Sequence, residues 1–510
     1  MTHLKQSVIN IISSLIGYVI PMVINFFITP FLLYFLGENA FGLQSLFFLI
    51  IGYLTIMDMG LDLAITKYLA EDYTKKDIDS MNNLLNTSLI LYYSIGIIWA
   101  FILLISSPYL AKNFFQIPND LINEAINVFN LTGIGFLGSM GISWARAVCM
   151  GLNRFDLYYF VLIIFQIISA FIGVGMVYMG YGVTGYVATR VLFNLIACIF
   201  YFFIINYYLP DFKLKLIIKK VTITRMATYL KYGVINRFTG IIMSKIDQTF
   251  ISIWLGISSF GIYSVVLLVV NSISYMIAYM MGFILPLSSE LQTKGDIKKL
   301  RNIFLSLSKF SVILSNIFFI PLFVFADKFL ILWVPSIADK AFFVFRLLII
   351  SAYISTLTTA ISNSIMIGLG KIREFTTYTV IRAILLTIFC IILIKPYGLE
   401  GAGLALFFVC FVDIVYFKIF CRYYLKLEFI YVIKNTFLKP ILLGIIMATI
   451  LFLIHPFVLT WIEICLMIGI SSFVYLIICF LVGILGEIEK NIILNFWELI
   501  KRNLIVKMRP

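Results

Sequence analysis

The sequence predicts an all-α integral membrane protein with fourteen transmembrane helices. These form two six-helix lobes related by a pseudo-two-fold axis, plus two extra C-terminal helices. Three observations carry this prediction: a composition too apolar for water, fourteen apolar stretches near membrane-crossing length, and an internal repeat six spans long. Of 510 residues, 62% are hydrophobic and only 12% charged, with mean hydropathy +1.06. Soluble domains stay near about 45–50% apolar, so the solvent that accommodates this chain is a bilayer.

Apolar stretches of about 20 residues separated by polar punctuation are span candidates. They centre near residues 21, 52, 94, 135, 168, 195, 243, 273, 314, 356, 384, 410, 449 and 473. The first run, Val8 to Tyr34, is long enough to span and lacks a small-residue cleavage site, so no cleavable signal peptide is expected. Lys and Arg set the orientation. With the N-terminus cytoplasmic, 26 of the 38 fall on the inner side: Lys5, Arg154, Lys371 and Arg373, the segments around Lys67–Lys76, Lys213–Lys231, Lys294–Arg301 and Arg422–Lys439, and the tail. Four (Lys112, Lys328, Lys340 and Lys395) fall outside, and eight lie within spans. Both termini are therefore expected in the cytoplasm. The net charge of +14 is mostly this topology signal, dispersed over short loops, and calls for no nucleic-acid partner.

The second half repeats the first. "LGENAFG" at Leu36–Gly42 recurs as "LGISSFG" at Leu255–Gly261, and "EDYTKKD" at Glu71 as "ELQTKGD" at Glu290. "GLNR" at Gly151 recurs as "GLGK" at Gly368, and "YGVTG" at Tyr181 as "YGLEG" at Tyr397. Six spans per repeat return the chain to the same side, so the lobes share one orientation, with the pseudo-axis along the membrane normal. Residues 1–209 are read as the N-lobe (spans 1–6), 210–228 as a basic cytoplasmic linker and 229–424 as the C-lobe (spans 7–12). Residues 425–485 are read as the hairpin of spans 13–14. The tail, 486–510, places Ile488, Ile492, Phe496, Ile500 and Leu504 on one helical face, as in a helix lying on the inner leaflet. Gly37 and Gly256 end helices at very short outer turns, and Phe41 and Phe260 restart them. The longest outer loops, near 106–121 and 327–341, have about 15 residues each, too few for an outer catalytic domain.

Ionised side chains inside a bilayer are costly and mark function. The in-span cations are Arg146, Arg190, Arg237, Lys245, Lys309, Arg346, Arg382 and Lys418. Lys309, Arg346 and Lys418 sit close enough to helix ends to snorkel. Arg190, Lys245 and Arg382 lie at least ~10 Å deep at 1.5 Å per residue and are read as cavity-facing, with Arg146 and Arg237 intermediate. The anions are Asp58, Asp62, Asp247 and Asp413, candidates for ion coupling or charge pairing. On span 7, Asn236, Arg237, Gly240, Ser244, Lys245, Asp247 and Gln248 share one half of the helix, as expected where a helix meets lipid on one side and a wet cavity on the other. Asp58 and Asp62 form a similar stripe with Thr55 and Thr66. With more cations than anions, such a cavity suits an anionic cargo such as phosphate or pyrophosphate, which guanidinium forks bind bidentately.

"YFLGENAFGL", "DMGLDLAITKYLAE", "KIDQTFISIWLGISSFGIYSV" and "IGLGKIREFTTYTVIRAILL" resemble the polysaccharide transporter (Wzx-type) flippases of the multidrug/oligosaccharidyl-lipid/polysaccharide (MOP) superfamily, over about residues 5–485. The resemblance implies a MATE-like fold and alternating access. It also implies flipping of undecaprenyl-pyrophosphate-linked oligosaccharide from the cytoplasmic to the outer leaflet of the bacterial inner membrane. Membrane lipids and glycan polymerase or assembly proteins are the other partners it implies. No strict motif carries over, so the substrate cavity is assigned from charge: Arg146, Arg190, Arg237, Lys245 and Arg382.

The rival readings are a lipid II flippase, a multidrug or cation antiporter of the same superfamily, and a membrane polymerase or acyltransferase. Span 1 has no acid to favour a cationic cargo. Only His3 and His455 are available as histidines, and none of the seven cysteines forms a CxxC pair. Neither a resident metal nor another cofactor is expected, and the chain reads as a carrier rather than an enzyme.

Overall fold

The computed structural model describes residues 3–484 except 55–57, 59 and 116. Thr55, the side chain of Asn236 and the amphipathic tail at 486–510 lie outside what is described. The described chain is helical, with no strand among the described residues. In order the helices are α1 (His3–Leu54), α2 (Leu61–Lys75), α3 (Ile78–Tyr109), α4 (Ile122–Gly151), α5 (Phe155–Tyr178) and α6 (Gly182–Tyr208). Then come α7 (Lys220–Trp254), α8 (Gly256–Met280), α9 (Ile284–Thr293), α10 (Ile297–Val324), α11 (Ala326–Trp333) and α12 (Ala338–Thr359). Last are α13 (Ser362–Gly368), α14 (Ile372–Ile419), α15 (Phe429–Val432), α16 (Leu438–Ile454) and α17 (Trp461–Leu481). Among the described residues eleven helical stretches are long and apolar enough to cross a membrane, which makes this a multi-pass membrane protein. The charge-bearing α7 is not among the eleven.

Two of these helices are more than twice the length that one crossing needs. α1, with 52 residues, contains a single non-helical residue, Gly37, at φ 76 and ψ 172. α14, with 48, contains Gly398 at φ 58 and ψ −136. Positive φ is what glycine tolerates without a Cβ penalty. Helix resumes at Glu38, directly after Gly37, rather than at Phe41 as the sequence suggested. Gly256, at φ 83, separates α7 from α8 in the same way.

The sequence also suggested one continuous span around residue 52. Instead α1 ends at Leu54 and α2 begins after Gly60, which is left-handed at φ 79 and ψ 19. The second repeat has a comparable break between α8 and α9, at residues 281–283. The two loops expected on the outer side carry helical turns: Leu110–Phe114 is a π-helical turn and Ala326–Trp333 is α11.

The chain falls into two compact units, Met1–Leu268 with Thr379–Ala405, and Val269–Tyr378 with Leu406–Pro510. These boundaries pass through α8 and α14 rather than through the linker. The first unit's core is built from α2 to α6, where Ile65, Tyr92, Phe136, Met140 and Tyr201 are all essentially inaccessible. Glycines let α4 approach its neighbours: a Cβ on Gly135 would lie 2.7 Å from Val191, and one on Gly141 2.1 Å from Cys198 Sγ. In the second unit one core gathers Phe304, Ile365 and Phe420, and another joins Ile313, Leu451 and Tyr475. Large apolar side chains such as Phe27, Phe101, Ile105 and Phe171 stay exposed, as lipid-facing residues do.

Candidate functional site

The break between α1 and α2 is where charge converges. Asp58 and Asp62 flank Gly60, and the Gly60 N–H donates to Asp58 Oδ1 at 3.0 Å. Asp62 sits in the first turn of α2, where the Leu63 N–H donates to its Oδ1 at 2.9 Å. Free N–H groups at a helix start favour a carboxylate there. The other oxygen, Asp62 Oδ2, accepts from Arg146 Nη2 on α4 at 2.7 Å and from Arg237 Nη2 on α7 at 2.8 Å. Arg237 Nη2 also reaches Asp58 Oδ2 at 3.3 Å.

Four candidates, from three separate parts of the sequence, thus form one cluster in the first unit. Asp58 is wholly buried, while the Arg146 and Arg237 side chains retain 32% and 35% of their accessible surface. Arg237 Nε is buried with no hydrogen bond among the described residues. Tyr92, fully buried and with no hydrogen bond from its hydroxyl among the described residues, lies within electrostatic reach of all four charges. Pairing buried charges offsets the cost of removing them from water, which unpaired they would bear in full.

Arg190 is in a different place. Its guanidinium donates to Tyr186 Oη at 2.7 Å and to Ser169 Oγ at 3.2 Å, and lies 5.2 Å from the Tyr186 ring centroid. It lines a cavity of about 110 Å³ together with Pro21, Ile24, Asn25, Phe48 and Gln166. Asn25 and Gln166 were not read from the sequence, where polar residues were weighed only on the two spans that carry acidic stripes. Each is a lone amide inside an otherwise apolar run, and that was the available signal. Tyr92 carried none, since a tyrosine inside an apolar span ordinarily reads as packing.

On α7, Lys245 is half-buried, with Nζ 3.5 Å from Gln248 Oε1 and its stem against Gly52. Asp247 faces elsewhere: it is 3% exposed, accepts from the Tyr263 hydroxyl, and its Oδ1 has no partner among the described residues. Arg382 is half-buried on α14, within the first unit. Asp413 belongs to the second unit, where it is fully buried and accepts from Tyr378 at 2.7 Å and Ser355 at 2.6 Å. Within the first unit, Arg146, Arg237, Asp58 and Asp62 come together, whereas Arg190 and Lys245 have other neighbours. No group of His, Cys, Asp and Glu suited to a metal ion occurs among the described residues.

No curated protein matches the chain in sequence. Among solved structures, the chain is similar to the lipid II flippase MurJ in an inward closed conformation, with TM-score 0.69 and 14% identity, over 93% of this chain and 99% of that one. It is similar to an inward-facing multidrug resistance MATE family transporter of the MOP superfamily, with TM-score 0.64 and 14% identity, over 81% and 95%. A third is a MOP superfamily transporter from Pyrococcus furiosus, described as having a binding pocket of reverse polarity, with TM-score 0.59 and 15% identity, over 83% and 96%. At such identities the likeness is one of fold. The sequence itself matches a family described as "Polysaccharide biosynthesis protein" over residues 31–334, and the chain belongs to that family.

Proposed function

We propose that this protein is a flippase that carries undecaprenyl-pyrophosphate-linked oligosaccharide from the cytoplasmic to the outer leaflet of the bacterial inner membrane by alternating access. The observation that carries the reading is the pair of partly exposed arginines, Arg146 and Arg237, converging on one carboxylate oxygen in an apolar helical chain of a polysaccharide biosynthesis family. Paired guanidinium forks suit the oxygens of a pyrophosphate. Lys245, Arg190 and Arg382 supply further positive charge along the path of the headgroup and sugars. The prenyl tail stays in lipid, along the hairpin at 425–485. Asp247, with one oxygen unpartnered, and Asp413 are the groups suited to a coupling cation.

The membrane topology goes with this reading. Dividing α1 at Gly37 and α14 at Gly398, and adding α7, gives fourteen crossings with both termini cytoplasmic and lobes at 1–209 and 229–424. The protein then acts as a carrier, and glycan polymerase or assembly proteins receive its product. A lipid II flippase is the second reading, favoured by the coverage of the MurJ match.

The test is deletion of the gene followed by quantification of lipid-linked oligosaccharide on the cytoplasmic face. Accumulation there, relieved by wild type but not by Arg146→Gln or Lys245→Ala at equal expression, is the expected result. Accumulation of lipid II instead selects the second reading. Unchanged lipid intermediates with heightened sensitivity to cationic drugs refute both.

A further inference from the structure

We propose that the Asp62 carboxylate is a built-in surrogate for the anionic headgroup: it occupies the seat between Arg146 and Arg237, and a phosphate-bearing ligand binds by displacing it. The identity of the natural ligand rests on the flippase reading; the displacement itself does not.

The geometry is that of an occupied anion site. One carboxylate oxygen, Asp62 Oδ2, receives both guanidinia, at 2.7 and 2.8 Å, from helices far apart in sequence. Structural ion pairs commonly match one guanidinium fork to two carboxylate oxygens. Here one Nη2 from each of two forks converges on a single oxygen, and the buried Arg237 Nε has no hydrogen bond among the described residues. A phosphate offers three or more oxygens to the same donors and more charge, so it fits the pair better than one carboxylate does.

Asp62 also has somewhere to go. Its Oδ1 already accepts from the Leu63 N–H in the first turn of α2, so a displaced carboxylate keeps a partner at that helix start. The left-handed Gly60 just before α2 supplies a backbone break at which the turn can shift. Asp58, held by the Gly60 N–H and reached by Arg237 at 3.3 Å, retains part of the charge balance meanwhile.

Two consequences follow. In the empty protein the guanidinia are neutralised, which avoids unpaired charge in a low-dielectric setting. On release of the ligand the carboxylate returns, so the site does not hold its cargo as tightly as bare arginines would. Affinity is thereby traded for turnover, as transport demands.

The experiment is calorimetric titration of inorganic pyrophosphate into the full-length purified protein in nanodiscs of neutral lipid. Asp62→Asn, which keeps the shape and removes the charge, is expected to bind at least about tenfold tighter than wild type, a difference of about 1.4 kcal/mol. Adding Arg146→Gln and Arg237→Gln to it should abolish the gain, and Asp62→Glu should bind as weakly as wild type. Should the asparagine variant fail to fold, judged by its melting profile, Asp62→Ser takes its place. An uncharged residue at 62 that binds pyrophosphate no tighter than wild type overturns the proposal. If binding tightens but gene deletion leaves lipid-linked oligosaccharide unchanged, the displacement stands and the flippase reading falls.

Discussion

Gly42 and Gly261, the same position in the two repeats, lie against each other: a Cβ on Gly261 would come 3.0 Å from the Gly42 nitrogen and 2.8 Å from the Glu38 carbonyl oxygen. Reciprocally, a Cβ on Gly42 would lie 1.9 Å from the carbonyl oxygen of Ile257, which is the repeat's equivalent of Glu38. This is the self-complementary pattern of an isologous two-fold contact, formed within one chain. The Ser258 hydroxyl closes it by donating to Glu38 Oε2 at 2.8 Å. Backbone atoms cannot yield as side-chain tips do, so Gly42→Ala should force the turns apart. Overpacking costs of about 1–3 kcal/mol are typical. The expected outcome is a lowered apparent melting temperature. In a cysteine-free background, bridging between Glu38→Cys and Ser258→Cys by a short thiol crosslinker should also be lost. Undiminished crosslinking in the Gly42→Ala protein would refute the interlock.

The basic linker makes a second prediction. Its residues 211–219 are not helical, yet they are tied to α3 by side chains one helical turn apart. Asn82 donates to the Asp211 carbonyl at 2.9 Å and accepts from the Lys213 N–H at 2.8 Å. Asn86 donates to the Lys213 carbonyl at 2.9 Å and accepts from the Lys215 N–H at 2.7 Å. An amide presents a donor and an acceptor together, so each asparagine pairs with the linker as a neighbouring strand would. The Asn82→Ala/Asn86→Ala double variant removes four bonds worth about 1 kcal/mol each. Trypsin should then cut at Lys213, Lys215 or Lys219 roughly tenfold faster or more than in wild type. Equal cutting rates would show that the linker is held by something else.

Much of this architecture was legible in the sequence because it rests on local rules. Gly37 and Gly256 each stand where a helix breaks within one residue, and only glycine takes that conformation freely; Gly398, which breaks α14, was legible only as part of the repeat. The apolar runs follow from the solvent. The partition of charge at the site was not legible. Asp62 meets Arg146 and Arg237 across three helices, and helical periodicity places residues on a face without saying which face it will meet. Counting cations against anions suggested a net positive cavity, whereas Asp58 and Asp62 pair with two of those cations. The break at Gly60 was hidden for a related reason: an isolated glycine in an apolar run is tolerated in membrane helices, so it did not read as an end.

The second unit holds a pair that should respond to acid. Asp327, at the start of α11, lies 2.9 Å from His455 Nε2. Burial pushes its carboxyl upward, but the hydrogen bond from His455 and the backbone N–H groups of Lys328 and Asp327 outweigh it, so the pKa falls below the usual aspartate value. A carboxylate held below its unfolded pKa stabilises the fold above that pKa, and the contribution is lost as pH falls through the lowered value. Melting curves of wild type should therefore lose stability below about pH 4, the ordinary aspartate range. Asp327→Asn should start lower at pH 7 and show a shallower loss over that window. Parallel curves for the two proteins would show that the pair is energetically silent.

The last prediction concerns what ties the C-terminal helices down. Asn316, fully buried on α10, donates to the Pro440 carbonyl at 2.9 Å and to the Tyr475 hydroxyl at 2.8 Å, and accepts from the Tyr353 hydroxyl at 2.7 Å. One side chain thereby links α12, α16 and α17 to α10. Gly444 leaves room for it, since a Cβ there would lie 2.8 Å from Asn316 Nδ2. Asn316→Leu fills similar volume but strands the Tyr353 hydroxyl without its acceptor, and a buried group left unsatisfied costs about 1–3 kcal/mol. Tyr475→Phe removes less, because Asn316 keeps the Pro440 carbonyl and Tyr353. The apparent melting temperature should therefore fall further for Asn316→Leu than for Tyr475→Phe, and protease cleavage within 438–481 should follow the same order. The reverse order would place the anchor at Tyr475, whose hydroxyl also donates to the Pro440 carbonyl, at 3.1 Å.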